Sequence, residues 1–280
     1  MLFPAGGPQA LSTRQRLAAY RGIGGMQLRT QLVFRGDLVF RLLGLLLQIY
    51  LLHQVWKAVY PASGIAAGNN GHRIPLATQI AYVTFAVVQN WLFNSGGMDF
   101  IPQRVREGSI AIDLTRPVRF PTQMLSVQAG ATAAQAPFAL VALPFAVLAG
   151  GARAPASPAA AVGYAVSLVP ALLVALLITT LVSMVAFWTT ESSGIFVIYR
   201  FVQQFLAGSL VPLWFMPDWM RLLAQWMPFQ ATTYAPLAVY VGQAGAVRTI
   251  AVQALWCVVL IGAVRVVWAR ALERVVVQGG

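Results

Sequence analysis

The sequence predicts an all-α membrane protein that crosses the bilayer six times, and three observations carry that fold class. Hydrophobic residues make up 59% of the 280 and charged residues only 9%, at a mean hydropathy of +0.71, whereas a soluble domain carries roughly 25% charge. One soluble core cannot bury so much apolar surface, because surface grows too fast with size. Apolar runs recur along the chain at about the 20 residues that span a hydrocarbon layer. Finally, 19 basic residues against 7 acidic ones give a formal charge of +12. They sit between apolar runs rather than on one basic face, which argues against nucleic acid and suits anionic lipid heads.

The first element is Leu11–Asp37, where Arg14, Arg16, Arg21, Arg29 and Arg35 interleave with Leu17, Tyr20, Ile23, Met26, Leu28, Leu32, Val33 and Phe34. This reads as an amphipathic helix along the membrane surface, with a weak point at Gly22–Gly25. The first long apolar run begins near residue 38 with no small-residue cleavage site close behind it, so a cleaved signal peptide is not expected. The spans expected are Leu38–Tyr60, Leu76–Phe93 just after Pro75, Thr122–Leu148, Ala159–Trp188, Gly194–Phe215 and Thr249–Trp268. Pro137, Pro144 and Pro170 fall inside the third and fourth, which membrane helices tolerate because neighbours re-satisfy the freed carbonyls. The small residues of Ala129–Ala134 predict close helix packing.

Six spans put both termini on one side. With the N-terminus inside, the cytoplasmic side holds six arginines up to Arg41, four from Arg104 to Arg119 and three from Arg265 to Arg274. Those thirteen face five outside: Lys57, Arg73, Arg153, Arg221 and Arg248. The bias places both termini in the cytoplasm.

Two connections are not ordinary loops. Gly96–Pro121 is dense in charge (Asp99, Arg104, Arg106, Glu107, Asp113, Arg116, Arg119) yet keeps Phe100, Ile101, Val105, Ile110, Ile112 and Leu114. Short helical pieces broken at Gly108 and Pro117 would present a mixed knob to something in the cytoplasm; the alternative is a solvated connector. Pro217–Gly242 is too apolar for water and is chopped by Pro217, Pro228 and Pro236, with Trp219, Leu222, Leu223 and Trp226 at helical spacing. It reads as re-entrant or interfacial half-helices in the outer leaflet, anchored by an aromatic belt of Trp214, Phe215 and Trp219.

Chemistry of its own is not expected. Lys57 is the only lysine and follows no glycine-rich loop, so the chain carries no P-loop. His53 and His72 form no zinc signature and read as interfacial structural residues, and Cys257 lies alone in an apolar run. No serine elbow and no paired carboxylates occur. Polar residues at membrane depth weigh more heavily. Glu191, in the turn between spans four and five, and Arg200, Gln203 and Gln204 beside Tyr199 read as the polar flank of a translocation path, as a gating ion pair, or as helix glue and charge anchoring close to the inner interface.

Two stretches resemble the permease subunits of type-2 ABC transporters. Glu107-Gly-Ser-Ile-Ala-Ile-Asp-Leu-Thr-Arg-Pro117 is similar to the family's cytoplasmic segment after span two. Phe187-Trp-Thr-Thr-Glu191, Tyr199-Arg200 and Gly208-Ser-Leu-Val-Pro-Leu-Trp-Phe-Met-Pro-Asp-Trp219, continued by Pro228-Phe-Gln and Tyr234-Ala-Pro-Leu, are similar to its span four to five region. The resemblance covers all but the first ten or so residues. It implies an N-terminal connecting helix, outer re-entrant helices and a coupling helix that docks on a separate ATPase. Ile101, Arg104, Arg106, Glu107, Ile110, Asp113 and Arg116 would form that docking segment, its apolar side chains as a plug and its arginines as a rim. Glu191, Tyr199, Arg200, Gln203, Gln204, Trp219 and Trp226 are the candidates for path or gate. Two ABC ATPase subunits would bring ATP and Mg, no cofactor binding to this chain itself, and a second permease, either another copy or a sibling, would complete the path in the cell's inner membrane. The rival is a stand-alone secondary carrier or channel, but carriers show internal repeats and mid-membrane carboxylates, and this sequence shows neither.

Overall fold

The computed structural model describes residues 12–278 apart from 34, 69–72, 95–96, 117, 150 and 190, so His72 and the expected break at Pro117 lie outside the described residues. The helices are α1 (Thr13–Val33), α2 (Arg35–Val59), α3 (Leu76–Phe93), α4 (Phe100–Arg106), α5 (Ile110–Leu114), α6 (Phe120–Leu148), α7 (Pro158–Ser183), α8 (Ser193–Leu206), α9 (Asp218–Gln225), α10 (Tyr234–Tyr240) and α11 (Ala246–Gln278). Between α2 and α3 lie β1 (Ile65–Ala67) and β2 (Arg73–Pro75). By length and composition, five helices among the described residues can cross a membrane: Leu38–Val59, Leu76–Phe93, Phe120–Leu148, Pro158–Phe187 and Ala246–Arg274.

The fifth expected run departs from a single helix. Over Gly194–Phe215 the helix is only the 14 residues of α8. At about 1.5 Å per residue that is roughly 21 Å, short of a hydrocarbon layer of about 30 Å. Gly208 takes a left-handed conformation, φ +73°, which ends the helix. Pro212 then precedes a 3₁₀ turn at Leu213–Phe215. The apolar content of the run is that of a span, but its backbone is a half-length helix followed by irregular chain.

The all-α expectation also missed the hairpin, in which Ile65 pairs with Pro75 and Ala67 with Arg73. Strands of three residues leave no alternation to read. The hairpin is held by Ile74, which is buried, and whose carbonyl accepts a 3.0 Å hydrogen bond from the Tyr60 hydroxyl.

Packing follows the small residues. The most extensive helix contacts pair α1 with α6, α7 with α11, and α2 with α3. Helix α1 turns Ala19, Tyr20, Ile23, Gly24, Gln27 and Leu28 toward its neighbours and leaves Arg14, Arg16, Arg21 and Arg29 exposed with Leu17 and Met26. It crosses α6 where Gly24 meets Gly130, so closely that a Cβ on Gly130 would overlap the Gly24 carbonyl. The start of α7 is set by Ser157, whose hydroxyl accepts from the Ala160 amide at 3.0 Å, with Pro158 in the first turn. One core cluster gathers Ile101, Phe120, Met124, Leu177, Met184 and Leu260. Another gathers Ile74, Tyr82, Val83, Trp214 and Leu237, so Trp214, expected in the aromatic belt that anchors the outer-leaflet segment, is an interior residue. Its ring sits edge-on to Tyr82 at 4.7 Å.

Candidate functional site

Helices α4 and α5 form a knob that reverses at Gly108, where φ is +66°. Helices of seven and five residues do not hold together on propensity alone, so these bury their apolar residues against their own chain. Ile101 is 1% exposed and Ile110 7%, and both pack with Phe120, Met124 and Leu177. The expectation that Ile101 and Ile110 project as a docking plug is therefore corrected: they are interior. Ile112, 63% exposed, is the large apolar side chain on the outer edge. Arg106, Glu107 and Arg116 are exposed there too, and Glu107 accepts from the Gln103 amide at 2.8 Å.

Asp113 is the hinge pin of this knob. It is fully buried, with its carboxylate 3.5 Å from Arg104 and 3.6 Å from Arg116. The Gln123 side-chain amide donates to it at 3.3 Å, tying the knob to the first turns of α6. The Arg104 guanidinium also lies 4.9 Å over the Phe100 ring. A buried carboxylate is tolerable only when so paired. A second tie runs from the Ser183 hydroxyl at the end of α7 to the Met98 carbonyl, 2.9 Å. Gln123 went unremarked in the sequence analysis; its signal is a polar residue in the opening turn of an otherwise apolar span.

The turn before α8 holds its carboxylate at the surface. Glu191 is exposed and accepts from the Ser193 hydroxyl and, at 3.0 Å, from the Ser193 amide. Those bonds hold its carboxyl below the ordinary range, with a smaller push from the Arg106 charge. Among the described residues no ion pair joins Glu191 to Arg200; the nearest use for this carboxylate is to fix the start of α8. Along that helix Tyr199 faces Phe229, ring centroids 6.3 Å apart, and Gln203 is buried. Arg200 is exposed and Gln204 half-buried, so the four polar residues divide between two sides of α8. Arg200 borders a small cleft shared with Asn94, Asp99 and Gln128.

The chain from Gly208 to Thr233, irregular on either side of α9, has carbonyls with no helical partner, which is costly away from water. Side chains from the long helices meet them. The Tyr82 hydroxyl donates to the Gly208 carbonyl at 2.8 Å, Gln89 to the Thr232 carbonyl at 2.5 Å, and Gln253 to the Ala231 carbonyl at 3.0 Å. Gln89 in turn accepts from the Tyr164 hydroxyl at 3.3 Å, and Gln79 accepts from the Trp214 indole at 3.2 Å. Nothing in the sequence singles out Tyr82, Gln89, Gln253, Tyr164 or Gln79 as a partner of this segment. Trp219 (66% exposed), Leu222 and Leu223 on α9 and Trp226 (76%) just after it are all exposed. Removing a latch strands a carbonyl in an apolar interior, at about 1–3 kcal/mol. Gln253→Leu is thus expected to lower the thermal midpoint measurably, while Gln225→Leu, at an exposed position, leaves it unchanged; equal midpoints for the two would remove Gln253 from the latch.

In comparison with known proteins, the family model described as ABC-2 family transporter protein matches residues 45–279, a stretch that contains the knob, α8 and the latched segment. A comparison with curated proteins finds no match. The chain belongs to the ABC-2 transporter family and is a multi-pass membrane permease component of an ABC transporter.

Proposed function

We propose that this chain is the membrane-spanning subunit of an ATP-driven exporter in the cell's inner membrane, powered by two separate ATPase subunits that carry ATP and Mg. The observation that carries the reading is the knob: an exposed edge of Arg106, Glu107, Ile112 and Arg116 on short helices joined to α6 and α7 through Asp113, Gln123 and Ser183. Force applied at that edge reaches the long helices through a packed cluster that also includes Leu260 of α11. ATP-bound dimerisation of the ATPases would draw the knobs of two permeases together and shift the pair from inward-open to outward-open.

In this reading the chain makes six crossings with both termini in the cytoplasm. The fifth of these crossings is composite: α8 rises from the inner side, and the latched segment with α9 and α10 completes the depth from the outer side. A second permease, another copy or a sibling, meets this one to enclose the path. Arg200, Gln204 and the outward Trp219 and Trp226 stand toward it, while Tyr199 and Gln203 brace α8 from within and Glu191 fixes its start.

Co-purification with the candidate ATPase, followed by ATP hydrolysis and transport in liposomes, tests the reading. Hydrolysis in the complex is expected to rise with cargo. Transport by this chain alone under an ion gradient would replace the exporter with a secondary carrier. Orientation is checked in the same strain with single cysteines at the exposed Ala111 and Ala154: an impermeant thiol reagent on intact cells is expected to label only Ala154→Cys, and labelling of Ala111→Cys reverses the topology.

A further inference from the structure

We propose that the groove between the end of α5, the start of α6, α7 and α11 holds one anionic phospholipid, its phosphate between Arg119 and Arg265 and an acyl chain along Leu125, Leu177 and Ile261. The inference rests on the proposed orientation, which sets this end of the molecule in the cytoplasmic leaflet. The groove has a volume of about 540 Å³ and carries its basic groups, Arg119 and Arg265, on an otherwise largely apolar lining. Its aromatic part is the stacked pair Phe120 and Trp268, ring centroids 4.6 Å apart.

The charge pattern selects the occupant. Both arginines are exposed, and no acidic residue lines the groove. Elsewhere arginines are already used: Arg104 and Arg116 on Asp113, and Arg221 on Asp218 at 2.8 Å. Among the described residues neither Arg119 nor Arg265 has a carboxylate within ion-pairing distance. Two cations on one apolar slot complement a molecule with one anionic head and a hydrocarbon tail, the arrangement by which basic pockets between membrane helices recognise anionic lipid. A zwitterionic lipid would bring its own ammonium group beside two guanidiniums with no acidic side chain in the lining to offset it, and a free phosphate would leave the apolar wall empty. Leu114, at the end of the knob, and Arg119, which leads into α6, both border the groove. The lipid would therefore sit between the knob and α11 and wedge them in register.

The test uses the full-length protein, purified in detergent and stripped of lipid, with binding read by native mass spectrometry and by the thermal midpoint. Phosphatidylglycerol is expected to bind at least tenfold more tightly than phosphatidylcholine of the same chain length, with a larger rise in midpoint. Arg119→Gln/Arg265→Gln should abolish that selectivity. Arg16→Gln/Arg29→Gln, which removes two exposed charges from α1, should keep it. Ile261→Trp should fill the groove and weaken both lipids, and glycerol phosphate, which lacks a tail, should fail to compete. Equal binding of the two lipids, selectivity surviving in the groove double variant, equal loss in the α1 variant, or competition by glycerol phosphate would each overturn the proposal. None of these readouts involves the ATPase, so failure here is separate from failure of the exporter reading.

Discussion

Ile101→Asp is expected to abolish the folded protein, whereas Ile112→Asp is expected to fold normally and lose ATP-driven transport. The contrast comes from exposure: 1% at Ile101 against 63% at Ile112, both within the same knob. An aspartate at position 101 would stand among Phe120, Met124 and Leu177 with no partner in that cluster. Burying it charged or protonated costs several kcal/mol, added to about 2–3 kcal/mol of lost apolar burial, a large share of any domain's stability. The expected readout is loss of the monodisperse peak in size-exclusion chromatography and low membrane yield. At Ile112 the change touches only the outer edge. An apolar anchor in a docking interface is worth about 2 kcal/mol or more, roughly a thirty-fold loss in partner affinity. Ile112→Asp should therefore co-purify poorly with the ATPase at wild-type yield and midpoint. A stable, monodisperse Ile101→Asp protein would show that the side chain is not interior. Undiminished ATPase binding by Ile112→Asp would count against the proposed docking edge.

The elements legible in the sequence were those the bilayer dictates. A span must be long and apolar, so Leu76–Phe93 could be read residue for residue, and Leu38–Tyr60 to within a residue of its helix end. The side on which a knob residue falls is not dictated that way. Ile101, Ile110 and Ile112 look alike locally; what turns two inward is contact with Phe120, Met124 and Leu177, the last 67 or more residues away in the chain. The end of α8 was hidden for a different reason. Glycine is common within membrane helices, so Gly208 in an apolar run does not announce a positive φ. Glu191 and Arg200 invited pairing by charge alone, but Ser193, two residues away, reaches the carboxylate first. The latches were visible as polar residues within spans. Their partners were not, because Tyr82 and Gln89 reach carbonyls more than 120 residues ahead.

Gly130→Val is expected to release α1 from the rest of the protein without unfolding it. The α1–α6 crossing depends on two glycines at one point: a Cβ at Gly24 would lie 2.9 Å from the Ser126 carbonyl oxygen, and one at Gly130 would overlap the carbonyl of Gly24. The atoms in the way are backbone, so the helices must separate rather than a side chain rotate, and overpacking of this kind costs about 1–3 kcal/mol. Helix α1 has little to set against that, since none of its residues is fully buried. Its hydroxyl tie, Tyr20 accepting from the Arg119 amide at 3.1 Å, is on an exposed site. The long helices keep their own clusters, so the main thermal midpoint should move little. Trypsin should instead cut faster at Arg16, Arg21 and Arg29, by about tenfold if 1.4 kcal/mol of docking is lost. Gly22→Val is the control, because a Cβ there meets nothing within 4 Å, and its cleavage rate should match the wild type. Equal cleavage of Gly130→Val and wild type would mean that α1 is held by contacts other than the glycine crossing. Faster cleavage with transport intact would mean that α1 is docked but transmits nothing.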